Sequence, residues 1–520
     1  MKKFMTSFGV CVLIIMLFSA CTSGGGSSDN GSDTGSQDHD GVTVGFHENV
    51  QTLNPHDSSS GNDISVLNTM YESLLTPNKE GELEPLLAKG YQVSDDGLTY
   101  TFELKKGIRF TDGTTFNAKA VKANINHILD SDGSLNSYRD LKGIENVELA
   151  GDYKVKITLK RANSQFISQI GTKPMASPKT LDSANYAKES AGTGPFKLKE
   201  WNHGDSVVVV KNEDYWKDGY PKVDNITFKP IPENGSRVAM FKTGELDVIY
   251  PVPVSDVKDL QNADGNKVDL IESTYVNYTT INTSKEPFSN KKVRKAMNYA
   301  IDKDAYIKVV KNGFAKKVDS PLPKTNVNYT AQETYSFNLD KAKQLMKEAG
   351  YADGFSTTIW GSNSSKDKKG MLFIKQQLKQ INIDVSVKQF ERGTLSEKIN
   401  KPKTPEDSEV DMWYVGWSST PRDTNNALSP LFSTSAFPPN GANTAYYSNP
   451  KVDKLINGAL HAKTEEERQK KYDSVQKIIW NDAPWLFLAT DVQQIAMNEN
   501  LTGVWRSSDG NLYIKNAAWK

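Results

Sequence analysis

Leu86-Leu-Ala-Lys-Gly-Tyr91-Gln-Val-Ser94-Asp-Asp-Gly97-Leu-Thr-Tyr-Thr-Phe102-Glu-Leu104 is the stretch on which the fold turns. Leu98 to Leu104 alternates apolar and polar residues, as a strand buried on one face does, and Tyr91-Gln-Val93 supplies its partner. Asp96-Gly97 in the turn between them provides the positive φ that a tight hairpin needs. Downstream, Asn117 is expected to cap a helix from Ala118 to Leu129, with further strands at Tyr153–Leu159, Phe196–Trp201, Ser206–Lys211 and Asn225–Pro230. Upstream, Val42 to Phe46 reads as a strand, and Pro55 turns the chain within Gln51-Thr-Leu-Asn-Pro-His56. Ile64, Leu67, Tyr71, Leu74 and Leu75 share one face of a helix expected over Ile64–Leu75.

From Ser236 the texture changes to helices alternating with strands, which predicts α/β lobes with largely parallel or mixed sheets. Met412–Val415 and Trp485–Ala489 are among the strands, and Leu339–Ala349 and Thr464–Asn481 among the helices. The chain has 520 residues. That is more than one hydrophobic core usually serves, so two or three lobes are expected.

The first residues form an address. Lys2 and Lys3 precede an apolar run, Phe8 to Phe18, closed by Ser19-Ala20-Cys21. A charged start, a short apolar core and small residues are the layout of a secretory signal. The run is too short for a mature membrane-spanning helix. Cys21 is read as the lipid-accepting cysteine of a bacterial lipoprotein, although Phe18 stands where that motif usually has Leu. A tract of Gly, Ser, Asp, Asn and Thr then reaches Gly41 and is expected to be a disordered tether. Without residues 1–20 the chain carries 61 basic and 63 acidic residues. Such a balance gives no reason to propose nucleic acid as a partner. Both cysteines, Cys11 and Cys21, lie in this address, so no disulfide or thiolate chemistry is expected of the folded part.

Several segments together resemble the large extracytoplasmic solute-binding proteins of peptide- and nickel-type ABC importers (bacterial extracellular solute-binding proteins, family 5). They are the hairpin above, Gly107-Ile-Arg-Phe-Thr-Asp-Gly113, Gly192-Thr-Gly-Pro-Phe196, Val293-Arg-Lys-Ala296, Tyr299-Ala-Ile-Asp302, Gly416-Trp417 and Asn449-Pro-Lys-Val-Asp453. The resemblance implies an α/β, two-lobed periplasmic-binding-protein-like fold of cluster C type, with an extra strand-rich subdomain in the first lobe. On this reading residues 1–20 are the signal and 21–41 the tether. Lobe I spans 42–274, with the subdomain at about 80–205. Lobe II spans 275–490, and 491–520 return to lobe I. Tyr275–Asn282 is expected to cross between lobes, with Leu486–Asp491 as its return. Phe355–Trp360, Thr444-Ala-Tyr-Tyr-Ser-Asn449 and Leu501-Thr-Gly503 are similar to the glutathione-binding members.

A peptide enclosed between lobes needs an acid facing its ammonium and cations facing its carboxylates, because unpaired buried charge is costly. The loop Trp417-Ser-Ser-Thr-Pro-Arg422-Asp423-Thr-Asn425-Asn426 follows a strand, where α/β clefts commonly bind ligands. The resemblance assigns Asp423 to the ammonium, and Arg422 beside it suits a carboxylate. Trp417 is a candidate cleft wall, Trp360 at a strand end and Asn425 in the loop are candidate binding residues, and Ser362 and Asn363 are candidate hydrogen-bonding groups. Asn277 and Thr279 on the crossing strand, Gln51 and Thr52 from the first lobe, and Arg139 complete the set. Dipeptide-binding relatives carry an Arg near Trp360 that clamps a carboxylate, and none lies between Trp360 and Ser365 here.

The implied function is capture of glutathione or a similar small peptide on the outer face of the cell membrane. A monomer is expected, held by the Cys21 lipid, which delivers its ligand to ABC permease subunits. General dipeptide or oligopeptide binding and nickel or nickel-chelate binding are the alternatives within the family. His47 and His56 are the histidines nearest the first turn. No catalytic residue, resident metal or cofactor is expected: the chain has no HExxH spacing and no GxSxG elbow. A surface adhesin or signalling receptor would keep the fold and need no permease.

Overall fold

The computed structural model describes residues 40–58, 60–181, 190–402 and 404–520. The signal, Cys21 and most of the tether lie outside the described residues.

An 11-stranded mixed sheet runs through the structure. Gly41–Phe46 pairs in parallel with Asn225–Pro230 and Val248–Tyr250, and the hairpin Phe196–Asn202/Ser206–Lys211 extends that side. On the other side Phe355–Ser362 lies parallel to both Ile383–Phe390 and Met412–Trp417. Two long antiparallel strands join the sides, Asn266–Ile281 and Trp485–Asn498. Both are much longer than the alternation near Tyr275 and Trp485 predicts. Register shifts between Glu272 and Val276, and between Asn277 and Tyr278, let one ladder bend from one core into the next.

Each side has its own core. Val44, Phe46, Ile226, Phe228 and Val248 pack with Leu512 and Ile514 from the C-terminus. Val293, Met297, Ile359, Ile383 and Met412 form another, and Leu428, Tyr472, Trp480 and Trp485 a third. A separate four-stranded antiparallel sheet contains the opening hairpin, now Ala88–Val93 and Thr99–Leu104, next to Lys154–Leu159 and Ile144–Leu149. Phe102, Val155 and Ile157 pack there against Val121 and Ile125 of the helix Ala118–Asp130. Asn117 caps that helix by accepting from the Ala120 N–H, and Gly97 has φ +72°.

One helix is displaced from its expected span. Gly61–Met70 begins earlier than Ile64, because the Ser60 side chain accepts from the Asn62 N–H. It stops before Leu75, because Glu72–Ser73 pairs with Pro174–Met175 and Leu75–Pro77 with Leu83–Pro85. Gly192 and Gly194 seat against its C-terminal turn, where a Cβ at either would overlap Met70 backbone, and the Gly194 N–H donates to the Met70 carbonyl at 2.9 Å. No helix among the described residues is long and apolar enough to cross a membrane.

Candidate functional site

The loop after Met412–Trp417 is shorter than the sequence suggests. Thr424–Phe432 is a helix, and Asp423 is its N-cap, with Oδ1 accepting the Asn426 N–H at 2.8 Å. Its apolar residues Ala427, Leu428 and Leu431 are buried, which fixes the helix start. From the subdomain, a short helix at Phe166–Gly171 meets this loop. The Gln169 amide approaches Asp423 Oδ2 at 3.5 Å, and the Ser168 hydroxyl donates to the Arg422 carbonyl at 3.4 Å. Gln169 is itself oriented by Asn163, whose amide donates to Gln169 Oε1 at 3.0 Å.

Between these elements lies a cavity of about 270 Å³ lined by Arg139, Arg422, Asp423, Gln169, Tyr71 and Tyr513 among others. Most charges around it are satisfied by the protein. Lys173 pairs with Asp140 at 2.6 Å. Glu72, fully buried, accepts from Thr193, Tyr215 and Trp216 at 3.1, 2.8 and 2.8 Å and faces Lys515 at 3.4 Å. Asp423, Arg139 and Arg422 differ. Among the described residues none of the three has an oppositely charged partner within 4 Å, and Arg422 Nε is buried without an acceptor; Asp509, also in the lining and without such a partner, accepts from the Ser507 hydroxyl. Burial pushes the Asp423 carboxyl above the usual carboxylate range, and the neighbouring Asp140 charge adds to this against the helix N–H groups.

The other expected residues are placed elsewhere. Trp360 is buried against Leu395, Ile399 and Val410, with its ring 4.7 Å from that of Phe390. It packs in that core and is not in the lining of the cavity, and its strand runs on to Ser362. Ser362 donates to Asp367 at 2.7 Å, and the Asn363 N–H donates to the Phe390 carbonyl. Trp417 packs partly buried at the edge of a core, while Asn425 lines a separate cavity with Ser429 and Asp453. Gln51 is exposed, its N–H donating to Asp63 at 2.8 Å, and the Thr52 hydroxyl accepts from the Asn54 N–H. Thr279 is buried within the sheet. Asn277 is buried too, donating to Asp491 at 2.7 Å and accepting from Lys311 at 2.6 Å.

Of the expected set, then, the cavity gathers Arg139, Arg422 and Asp423. Gln169, Ser168 and Glu72 carry no sequence signal of a role, since each gains its place from long-range packing. His47 sits 3.3 Å from Glu48, and His56 is buried with Nε2 3.1 Å from the Pro174 carbonyl and its ring 5.6 Å from His127. No group of three or more His, Cys, Asp or Glu among the described residues is placed to hold a metal ion.

A mixed sheet bent between cores, with a charged cavity where their loops meet, defines a two-lobed periplasmic-binding-protein-like fold. Residues 82–438 match the model of bacterial extracellular solute-binding proteins, family 5, and the chain belongs to that family. It is 39% identical to the glutathione-binding protein GsiB of Pectobacterium atrosepticum over 468 residues, 88% of this chain and 90% of that one. Identity to the Escherichia coli K12 protein of the same name is 37% over 483 residues, 92% and 94% of the two chains. Among solved structures, HbpA2 of Haemophilus parasuis is similar with a TM-score of 0.82 and 25% identity, covering 92% of this chain and 100% of that one. The DppA protein of Helicobacter pylori in complex with the peptide STSA is similar with a TM-score of 0.72 and 28% identity, covering 92% and 98%.

Proposed function

We propose that this chain is the substrate-binding lipoprotein of an ABC importer, capturing glutathione or a similar small peptide between its lobes. The observation that carries the ligand class is the unmatched set Asp423, Arg139 and Arg422 around one cavity. A zwitterion with an extra carboxylate supplies one positive and two negative groups, which Asp423 and the two arginines match while Asp509 stays with the Ser507 hydroxyl. Asp423 keeps Oδ1 for its helix cap and offers Oδ2 to the ligand ammonium. The two guanidiniums take carboxylates, each by a forked pair of N–H donors.

The work is non-catalytic. Solute enters between open lobes, and its contacts with both sides stabilise the closed form over the open one. The closed form docks on permease subunits, and hydrolysis of ATP on the far side of the membrane drives import. The protein is held by lipid on Cys21, with several acyl chains needed for firm anchoring. Replacing Cys21 by Ala is expected to release the protein from the membrane fraction.

Calorimetric titration of the mature chain carrying Cys21→Ala tests the ligand. Reduced and oxidised glutathione, dipeptides, tripeptides and nickel are compared. Saturable binding of either glutathione form, lost in Asp423→Ala, supports the reading. Binding only of unmodified peptides, the second reading, which the likeness to peptide-bound DppA favours, would remove glutathione as ligand. Binding of nickel alone would do the same and point to the metal-importing members.

A further inference from the structure

Beside the Asp423 cavity lies a second chamber of about 410 Å³. The two share Thr76, Pro77, Leu86, Tyr513 and Lys515 as lining, so they adjoin along one wall. The chamber's character is different. Its faces are aromatic: Trp505 and Tyr513 stack with centroids 4.1 Å apart and planes 5° from parallel, and Tyr215 and Trp216 stand in the same lining. Glu72, in the lining of the first cavity, holds this second wall in place. It accepts from the Tyr215 hydroxyl and the Trp216 indole N–H, both at 2.8 Å.

The charge of the chamber is lopsided as well. Lys79, Lys105, Lys217 and Lys515 line it against Glu84. Lys515 is engaged with Glu72, and Glu84 accepts from Asn78 at 3.1 Å. Lys105 lies 4.9 Å over the Trp216 ring, with no carboxylate within 4 Å among the described residues. Burial lowers its affinity for a proton, with the Glu72 charge opposing this and the Lys217 ammonium adding to it. Stacked aromatic faces lined by more ammonium groups than carboxylates suit a flat ring, better still one bearing negative charge. A bare tripeptide engaging Asp423 and the arginines leaves this space to water.

We propose that the chamber is an accessory subsite that takes an aromatic substituent carried by the captured peptide. On the glutathione reading, on which this step rests, the substituent is a ring attached through the cysteine sulfur. The ligand class thereby widens from the free thiol to its S-aryl and S-benzyl conjugates, with carboxylated rings preferred.

The mature Cys21→Ala chain is titrated with glutathione, S-methylglutathione, S-benzylglutathione and S-(4-carboxybenzyl)glutathione. The benzyl conjugate is expected to bind at least as tightly as the methyl one. Trp505→Ala is expected to weaken it about tenfold while leaving glutathione and the methyl conjugate unchanged. Lys105→Gln, remote from the stacked pair, is expected to remove the preference for the carboxylated ring, so the test survives a poorly folding Trp505 variant. If S-benzylglutathione binds tenfold or more weakly than S-methylglutathione, the subsite is overturned and the glutathione reading stands. If no glutathione compound binds, that reading falls. The subsite is then judged on Ala-Ala-Phe against Ala-Ala-Ala: an advantage for Phe that Trp505→Ala abolishes upholds it, and none overturns it.

Discussion

Two charged constellations sit on the bent sheet and its loops, and they are built in opposite ways. On the long crossing strands, Asp491 faces Lys311 at 2.8 Å and Lys366 at 3.6 Å and accepts from Asn277 at 2.7 Å. Lys311 also donates to Asn277 at 2.6 Å. At the cavity, Asp423, Arg139 and Arg422 have no oppositely charged partner within 4 Å among the described residues, Asp423 taking the Asn426 N–H and the Gln169 amide. A charge that the protein pairs for itself holds structure, whereas one left unmatched in a cleft has its energy realised when a ligand arrives. The crossing strands thus carry a charge network closed within the protein, and the cavity one left open.

The largest expected effect tests the closed network. Removing the carboxylate in Asp491→Ala leaves Lys311 buried and unpaired, with a loss of about 3–5 kcal/mol in unfolding free energy. Burial already draws the Lys311 pKa down to about 8, so the lost counter-charge is the one that keeps it protonated. Denaturant unfolding measures the loss. Ligand preference in the surviving folded fraction is expected to stay as in the parent. A change in preference would show that this network belongs to the site.

Next comes Asp423. Asp423→Ala is expected to cost about 2–5 kcal/mol in binding of an ammonium-bearing ligand, since it strands the ligand's charge. Asp423→Asn is the sharper variant. Asn caps helices as well as Asp does, and it removes a carboxylate whose pKa burial has raised. The unliganded protein is therefore expected to melt at the same or a higher temperature while calorimetry finds binding lost. If Asn binds ligand as Asp does, the carboxylate serves only as a cap and the comparison between the two constellations collapses.

Most of the fold was legible because its elements follow local rules. Asn117 before an apolar period of 3.6 and Asp96-Gly97 between alternating runs suffice for a helix and a hairpin. The long strands were truncated in the reading because a bulge interrupts the period of two at Glu272–Val276. The helix expected to reach Leu75 stops short because Glu72–Ser73 is claimed by Pro174–Met175, far along the chain, and Leu75–Pro77 by the neighbouring Leu83–Pro85. In the site, the resemblance placed Asp423 and Arg422 at a cavity. Trp360 packs in a core and Asn277 in a polar network within the sheet, because a strand residue's surroundings depend on what covers the sheet, and the covering residues are distant in sequence. Gln169 was invisible because its role exists only where two lobes touch.

A pH experiment separates the two kinds of buried acid–base group. His56 is buried with one ring nitrogen unpartnered among the described residues, and burial lowers its pKa to about 4. Its unfolded value is 6.5, so the unfolded chain takes up the proton first as pH falls. Stability attributable to His56 is whole above pH 6.5 and declines by about 3 kcal/mol as pH drops towards 4. Asp423 works in the other sense: with its pKa raised, the folded state binds its proton more readily, so acid relieves strain there while weakening ammonium binding. The pH dependence of denaturant unfolding across this range is expected to flatten in His56→Gln and to steepen in Asp423→Asn, while affinity in the parent falls on acidification.

The smallest expected effect bears on the residues that the chain places away from the cavity. Ser362 spends its hydroxyl on Asp367, and Asn363 meets the Phe390 carbonyl through its backbone rather than its side chain. Ser362→Ala and Asn363→Ala therefore remove no group from the lining of the cavity. Affinity is expected to stay within about twofold of the parent, and Ser362→Ala to lose about 1 kcal/mol of stability with its bond to Asp367. A tenfold loss of affinity in either would mean that closure on a ligand carries the end of Phe355–Ser362 into the site. The unmatched set would then extend beyond Asp423, Arg139 and Arg422, and the line drawn between paired and open charge would have to move to include the second lobe's own strand ends.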